Sequence, residues 1–450
     1  MTNRSKIDLN SPAPRYTSYP PVPFWDNARC SKKDWVEDVR ASFLKNNRNV
    51  SLYLHLLFCE SLCTYCACNT RITRDHTVER PYIERMIKEW NFYLNAFNQV
   101  PILSDLHIGG GTPTFFSAEN LGVLLGQIIS DSEINPNASF SFEAHPGSTT
   151  SAHLEVLRKL GFNRLSLGIQ DFDTRVMTLI NRRQSTSQVQ AITNLARING
   201  YTSINFDLIY GLPGQTKSTI SKTIDIVTQI RPDRIALYGY AHVPKMKPAQ
   251  LSFEHLLPGP EQRQELCELS KELLTDAGYR EIGLDHYALP GDELLTASVE
   301  NKLHRNFMGY TVQSSPMLIG LGPSAISDTG TMMAQNPVKL ESWSNDIDNG
   351  EWVPARSHKM NEHDLILRRH ILNIMCGFKT NWSGDIDACG FLSTVYERLL
   401  PYEHAGLISL TRTTLTVLPQ GKPYIRHISM CFDERYHNAD RSSIILSNAS

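Results

Sequence analysis

The chain is short of several things, and each shortage excludes something. Among its 450 residues, Lys+Arg 44 nearly balance Asp+Glu 46, leaving a net charge of −2. Such a chain has no strong global attraction for nucleic acid or an anionic membrane, and neither is expected as a partner. No apolar run approaches the about 18 residues of a membrane-spanning helix. The start, MTNRSKIDLN, is polar and lacks a signal-peptide core, from which a cytoplasmic location is expected. Internal repeats and low-complexity tracts are missing too. With 41% hydrophobic and 20% charged residues, the composition is that of a globular protein and runs against disorder or a fibre. Cysteine is scarce: nine residues, too few for a disulfide scaffold of this size, and unevenly spread. Cys30, Cys267, Cys376, Cys389 and Cys431 are scattered, whereas Cys59, Cys63, Cys66 and Cys68 fall within ten residues. In a reducing compartment such a cluster more often holds a metal than a disulfide.

What is present is a regular alternation of strand and helix patterns. The length allows about three domains at ~150 residues each, or one α/β barrel of ~250 residues with satellites. Residues 1–50 read as a Pro-rich arm around PAPRYTSYPPVPF, with Tyr16, Tyr19 and Phe24 to bury and a short helix near Ser31–Lys45. Strand patterns follow at Ser51–Phe58, Ser104–Gly110, Ser139–Pro146, Arg164–Gln170, Ser203–Leu212, Arg234–His242 and Glu281–Leu289. Between them lie helical stretches at Val78–Asn98, Ala118–Ile129, Ala152–Leu160, Thr186–Ile198, Thr216–Gln229 and Glu261–Asp276. Repeated βα units imply a parallel sheet wound right-handedly. The expected fold is α/β: a partial or complete parallel (β/α) barrel over 51–300, preceded by the N-terminal arm. A connection over 301–359 leads to a mostly helical, winged-helix-like C-terminal domain over 360–450, with helices at Asp364–Cys376 and Leu392–Ala405 and short strands at Leu407–Thr411 and Thr414–Leu418.

The cysteine cluster carries the chemistry. Cys59, Cys63 and Cys66 stand at CxxxCxxC spacing directly after the first strand. Three thiolates can hold three corners of a [4Fe–4S] cubane and leave one iron open for a ligand, where four would close it. Loops after strands lie at the C-terminal mouth of a barrel, where active sites assemble. A structural zinc is the plain alternative, although it usually prefers two separated CxxC-type pairs. Gly109, Gly110 and Gly111 end the second strand, where missing side chains let backbone N–H groups approach a ligand; without Cys59 upstream, a tight turn into the helix at Ser117 would be the plainer reading. Glu143 closes the third strand, able to accept from a ribose hydroxyl or simply to face solvent.

CxxxCxxC opening the first loop of a βα barrel resembles the radical S-adenosylmethionine (SAM) enzymes, so the barrel is expected to be of radical SAM type. PRYTSYP (Pro14–Pro20), Tyr53-x-His55, CxxxCxxCxC, GGGTPT (Gly109–Thr114), GFNRLSLGIQDF (Gly161–Phe172), DLIYGLPGQT (Asp207–Thr216), LHRNFMGYT (Leu303–Thr311) and MCFD (Met430–Asp433) extend the resemblance to the oxygen-independent coproporphyrinogen III oxidase family over nearly the whole chain. The resemblance implies cluster ligation by Cys59, Cys63 and Cys66, with Cys68 an additional cysteine that is not a ligand. It implies SAM contacts from Tyr53, the segment around Gly110 and Glu143. A second SAM is implied at Tyr65, Gly111, Thr112, Gln170, Arg182, Asp207, Ala241 and Ile326. The implied chemistry is reductive cleavage of SAM to a 5′-deoxyadenosyl radical. At each of two propionates of coproporphyrinogen III that radical abstracts a β-hydrogen, CO₂ leaves and an acceptor takes the remaining electron, so that both become vinyl groups and protoporphyrinogen IX is formed. A flavodoxin- or ferredoxin-type electron donor and a monomeric state go with it. Arg15, Arg182 and Arg305 are candidate cations for the substrate carboxylates, and Tyr16, Tyr19 and Phe307 candidate flat contacts.

Three departures stand out from that family's usual pattern. Leu57 replaces a proline, His145 replaces an aspartate, and Met308 stands where an amide is usual. A thioether cannot hydrogen-bond as an amide does, so handling of the second SAM and of substrate is where this chain can differ. Two other readings therefore stand beside the decarboxylase: a methyltransferase- or cyclopropane-forming radical SAM enzyme on the same scaffold, and a haem-binding chaperone.

Overall fold

A computed structural model describes residues 11–26, 30–313 and 317–439. Six parallel strands form its centre: β1 (Asn49–Leu56), β2 (Ile102–Gly110), β3 (Glu133–Ala144), β4 (Arg164–Gln170), β5 (Ser203–Tyr210) and β6 (Arg234–Gly239). They pair in sequence order, as successive right-handed βα units require. The helices that return the chain are α2 (Glu79–Phe97), α3 (Ala118–Ser130), α4 (Ser151–Lys159), α5 (Thr186–Ile198), α6 (Lys217–Ile230) and α7 (Pro260–Asp276), while α1 (Lys32–Lys45) belongs to the arm. The hydroxyls of Ser117, Thr150, Ser185 and Thr216 each accept a backbone N–H at a helix start, fixing where strand loops turn into helices α3 to α6. Side chains such as Ile83, Met86 and Trp90 of α2 are wholly buried against the sheet.

Along each central strand, large apolar side chains alternate with polar ones. Ile108, Phe142, Leu167 and Phe206 face the helices and are fully buried, whereas His107, Glu143, Gly168 and Asp207 face inward and are only half-buried. A parallel strand buried on both faces reads as a continuous apolar run. The alternation here marks an inner face that lines a hollow rather than a packed core.

The sheet does not close. The run Glu281–Leu289, which reads as one more strand, folds instead into two short antiparallel pieces, β7 (Arg280–Gly283) and β8 (His286–Ala288). Asp285 makes the reversal in the left-handed region, φ 63°, and β8 lies antiparallel on β6. At the other edge, β9 (Leu318–Leu321) runs parallel to β1 and is extended by β10 (Ile326–Asp328), β11 (Met332–Gln335) and β12 (Arg356–Lys359). The full order is β12-β11-β10-β9-β1-β2-β3-β4-β5-β6-β8-β7, a partial barrel. Strand β3 begins six residues before the expected Ser139, with a register shift opposite Leu103 and Asp105. Pro136 and its neighbours are absorbed there rather than ending the strand.

Beyond the sheet, α8 (Glu362–Gly377), α9 (Val395–His404), α10 (Ile425–Met430) and α11 (Glu434–Asn438) surround a small antiparallel sheet. The expected pair, β14 (Ile408–Leu410) and β15 (Thr414–Val417), gains a third strand, β13 (Lys379–Asn381). This module has its own core, and Tyr16 and Tyr19 of the arm are buried within it. The Tyr16 hydroxyl donates to the Asp433 carboxylate at 2.9 Å. Both tyrosines are therefore arm anchors. Phe307 packs beside Trp25, Met333 and Met360, outside the central hollow. Among the described residues, no helix is long and apolar enough to cross a membrane.

Candidate active site

The inner face of the partial barrel encloses a cavity of about 720 Å³. The four clustered cysteines line one end, contributed by the loop after β1. None of the four is in a disulfide. Among the described residues, the one trio of potential metal-ligand atoms within 4.8 Å of each other is elsewhere, at His363, Cys389 and Glu434. Cys59, Cys63 and Cys66 are thus spread more widely than a single zinc accepts, since Zn–S bonds of about 2.3 Å bring thiolates within about 4 Å of one another. Three spread thiols around open space fit the corners of an iron–sulfur cube.

The loop is held by its surroundings. Cys59 Sγ lies 3.2 Å from the Thr112 hydroxyl, and Arg182 directs an N–H at Cys63 Sγ over 3.6 Å. Arg182 also bonds the Gly168 carbonyl, and its Nε–H reaches Gln184 Oε1 at 3.2 Å. Burial pushes the Cys59 thiol up to about 11. Cys66 goes the other way, to about 6, chiefly through the hydrogen bond from the Cys68 thiol.

Gly110 and Gly111 are required at the end of β2. Gly110 has φ 109°, and an added Cβ would stand 2.6 Å from the His55 ring. At Gly111 it would stand 2.5 Å from the Leu57 carbonyl oxygen. The Gly110 N–H donates to a Glu143 carboxylate oxygen at 3.2 Å, and His107 Nε2 lies 3.4 Å from the other. Burial works to raise the Glu143 carboxyl, but His107 and the Gly110 amide outweigh it and hold it below the ordinary value. Asp207 is pushed up to about 7 by burial and the nearby Glu143 charge, partly offset by donors from Ser166 (3.0 Å) and Asn205 (2.9 Å). The two carboxyls are thus pushed in opposite directions.

Tyr65, Gly110, Gly111, Thr112, Glu143, Gln170, Arg182 and Asp207 all line this cavity. Tyr53, Ala241 and Ile326 do not. Tyr53 stands one layer behind, stacked on His107 with ring centres 5.9 Å apart. Its hydroxyl lies 3.0 Å from His55 Nδ1, while His55 Nε2 donates to the Asn69 carbonyl at 2.9 Å. Ala241 accepts from the Gln250 amide at 3.2 Å in the loop after β6. Ile326 starts β10 against Trp25 and Met333.

Both departures of interest, His145 and Met308, line the cavity. His145 is pushed down to about 3 by burial and the Arg182 charge, and its Nδ1 accepts the Gly147 N–H at 2.9 Å. It is a neutral imidazole where a carboxylate would add charge.

Away from the thiols, the Arg15 guanidinium lies 5.9 Å over the Tyr238 ring and Arg305 4.5 Å over Tyr310. Arg305 keeps its Nε and Nη1 donors buried without a partner, an unmet demand for an anion. Between these rings stands His286, whose Nδ1–H donates to the Leu284 carbonyl at 2.7 Å. Burial, with Arg305 and Arg234 nearby, drives it down to about 4. A neutral ring with its proton on Nδ1 presents Nε2 as an acceptor. His107 and His286 were not singled out from the sequence; their signal was the inward-facing position in the strand alternation.

Residues 53–227 match the family model described as the Radical SAM superfamily. With three thiols at a barrel mouth, this defines the class: a radical SAM protein. The chain is 36% identical over 445 residues to the oxygen-independent coproporphyrinogen III oxidase of Pseudomonas aeruginosa, covering 97% of this chain and 96% of that one. Its counterpart from Escherichia coli is 35% identical, covering 94% and 93%. A solved structure of coproporphyrinogen III oxidase from Escherichia coli, described as a radical SAM enzyme, superposes with a TM-score of 0.88 at 34% identity, over 93% of this chain and 97% of that one. The chain belongs to the oxygen-independent coproporphyrinogen III oxidase family.

Proposed function

We propose that Cys59, Cys63 and Cys66 hold the cluster, that Gly110 and Glu143 form the wall for SAM at its open iron with Tyr53 supporting it from behind through His107, and that the far end of the cavity takes the substrate. The enzyme is an oxidoreductase of haem biosynthesis that converts two propionates of coproporphyrinogen III to vinyl groups. When bound, the cluster and SAM supply the one-electron chemistry that removes a hydrogen atom from each propionate side chain. The protein's own residues position and shield. Glu143 carries a full negative charge facing the cavity, suited to a ribose hydroxyl. Arg305 offers two unpaired buried N–H donors, and Arg15 a second cationic head, to propionate carboxylates that do not react. His286 Nε2 accepts from pyrrole N–H groups, which no arginine can do. Burial of Tyr16 and Tyr19 in the C-terminal module ties the arm down and brings Arg15 over Tyr238.

Of the positions assigned to a second SAM, Tyr65, Gly111, Thr112, Gln170, Arg182 and Asp207 share the cavity wall, and these are the ones we assign to it. Cys68 we leave outside the ligand set, as a donor to Cys66. We take a flavodoxin- or ferredoxin-type electron donor to serve a monomeric enzyme in the cytoplasm. The working domain division is an arm over 1–50, the barrel over 51–300, its extension over 301–359 and the C-terminal module from 360.

One observation carries the reading: three free thiols line the same cavity as Tyr310, over whose ring the unsatisfied Arg305 is held. The test is anaerobic reconstitution with iron and sulfide, then incubation with SAM, reductant and coproporphyrinogen III. Vinyl-bearing product with matching 5′-deoxyadenosine is expected, and loss of both in Cys59→Ala. SAM cleavage without vinyl product would shift the reading to a methyltransferase-type activity; haem binding with no SAM cleavage would shift it to a chaperone.

A further inference from the structure

The C-terminal module gathers a second set of ligand-type side chains, remote from the cluster loop in sequence. His363 lies in the first turn of α8, Cys389 immediately before the 3-10 turn Gly390–Thr394, and Glu434 at the start of α11. One ligand atom from each falls within 4.8 Å of the other two. His363 Nδ1 and a Glu434 carboxylate oxygen are 3.0 Å apart. Cys389 is fully buried and not in a disulfide.

We propose that His363 Nδ1, the Cys389 sulfur and a Glu434 carboxylate oxygen bind one zinc ion, which clamps α8, the Cys389 turn and α11 together. The donor set decides the metal. One sulfur, one imidazole nitrogen and one carboxylate suit zinc, whereas calcium and magnesium take oxygen donors. Thiolate and carboxylate neutralise the divalent charge, so the complex adds no net charge to a partly buried site. His363 and Glu434 also line a groove of about 540 Å³ between this module and Phe24–Trp25 of the arm, which gives the ion an entry path and water a fourth position. Uptake balances simply. The Cys389 thiol gives its proton to solvent, and the imidazole proton moves from Nδ1 to Nε2, so that both ligating atoms present lone pairs.

The test uses cluster-loaded enzyme, exposed anaerobically to zinc sulfate, passed over a chelating resin and analysed for zinc and iron. About one zinc per chain is expected beside an unchanged iron content, with a single sulfur neighbour in zinc X-ray absorption and a raised melting midpoint. Cys389→Ser removes a buried group and can fail to fold. His363→Ala and Glu434→Gln change half-buried side chains, and both are expected to lose the zinc and the rise in melting midpoint while keeping their iron. No retained zinc in the parent, or zinc retained equally in both variants, overturns the proposal. So does zinc with three sulfur neighbours and lost iron, which would put the ion at the cluster loop.

Discussion

Replacing Glu143 by Gln asks whether the carboxylate at the end of β3 is part of the SAM wall. The side chain keeps its length, and its remaining carbonyl oxygen can still accept the Gly110 N–H now held at 3.2 Å, so the cluster loop stays in place. What is lost is the negative charge that His107 and that amide stabilise. A hydrogen bond to a charged acceptor contributes about 1.5–3 kcal/mol and one between neutral groups about 0.5–1.5 kcal/mol, leaving a deficit of about 1–1.5 kcal/mol. That corresponds to SAM binding weakened about 5- to 12-fold. Glu143→Ala forfeits the whole contact, about 1.5–3 kcal/mol, or about 12- to 140-fold. Equilibrium dialysis of SAM against anaerobic, reconstituted protein reads the effect, and iron analysis of the same samples reads the cluster. SAM affinity within about twofold of the parent in both variants, with iron intact, would refute the placement of SAM against Glu143; loss of iron would show that the carboxylate supports the loop instead.

Asp207 predicts a pH dependence. Its carboxyl is raised to about 7, above the ~3.9 of an unfolded chain. Folding therefore takes up a proton between those pH values, and stability falls as pH rises through that window. The melting midpoint of Asp207→Asn should gain on the parent from about pH 5 to about pH 8; a constant difference would contradict this. Arg305→Gln removes a guanidinium whose Nε and Nη1 are buried without partners. It should raise KM for coproporphyrinogen III about tenfold or more with SAM affinity unchanged, and an unaltered KM would take Arg305 out of the substrate site. Gly111→Ala puts a Cβ 2.5 Å from the Leu57 carbonyl oxygen, a backbone atom that cannot swing aside. About 1–3 kcal/mol of destabilisation is expected, seen as a lower melting midpoint and poorer iron retention; parent-like values for both would refute the tight approach.

The βα order and the cluster loop were legible because short, local signals specify them: Ser and Thr helix starts, alternating strands, and thiols at fixed spacing. The hollow interior was legible in principle as well. SFSFEA alternates although its strand is parallel, which is a mark of a polar cavity rather than of a solvent face. Other features depend on contacts distant in sequence. Glu281–Leu289 has the composition of one strand, and only the left-handed Asp285 turns it into a hairpin. Tyr16 and Tyr19 look as apt for a flat substrate as for a core, and the choice is made by Asp433, 417 residues after Tyr16. His286 acquires its acceptor role from the Leu284 carbonyl, a contact that follows from the turn and not from residue type. Tyr53, Ala241 and Ile326 follow from family resemblance alone, and no local pattern distinguishes a wall residue from one a layer behind it.

The central claim is that three sulfurs hold the cluster and the fourth iron stays available to SAM. Mössbauer spectroscopy of protein reconstituted with iron-57, recorded with and without SAM, tests it most directly. One iron of the four should differ from the rest and shift when SAM is added, in the parent and equally in Cys68→Ser. Four equivalent irons indifferent to SAM, or a cluster lost in Cys68→Ser, would contradict it.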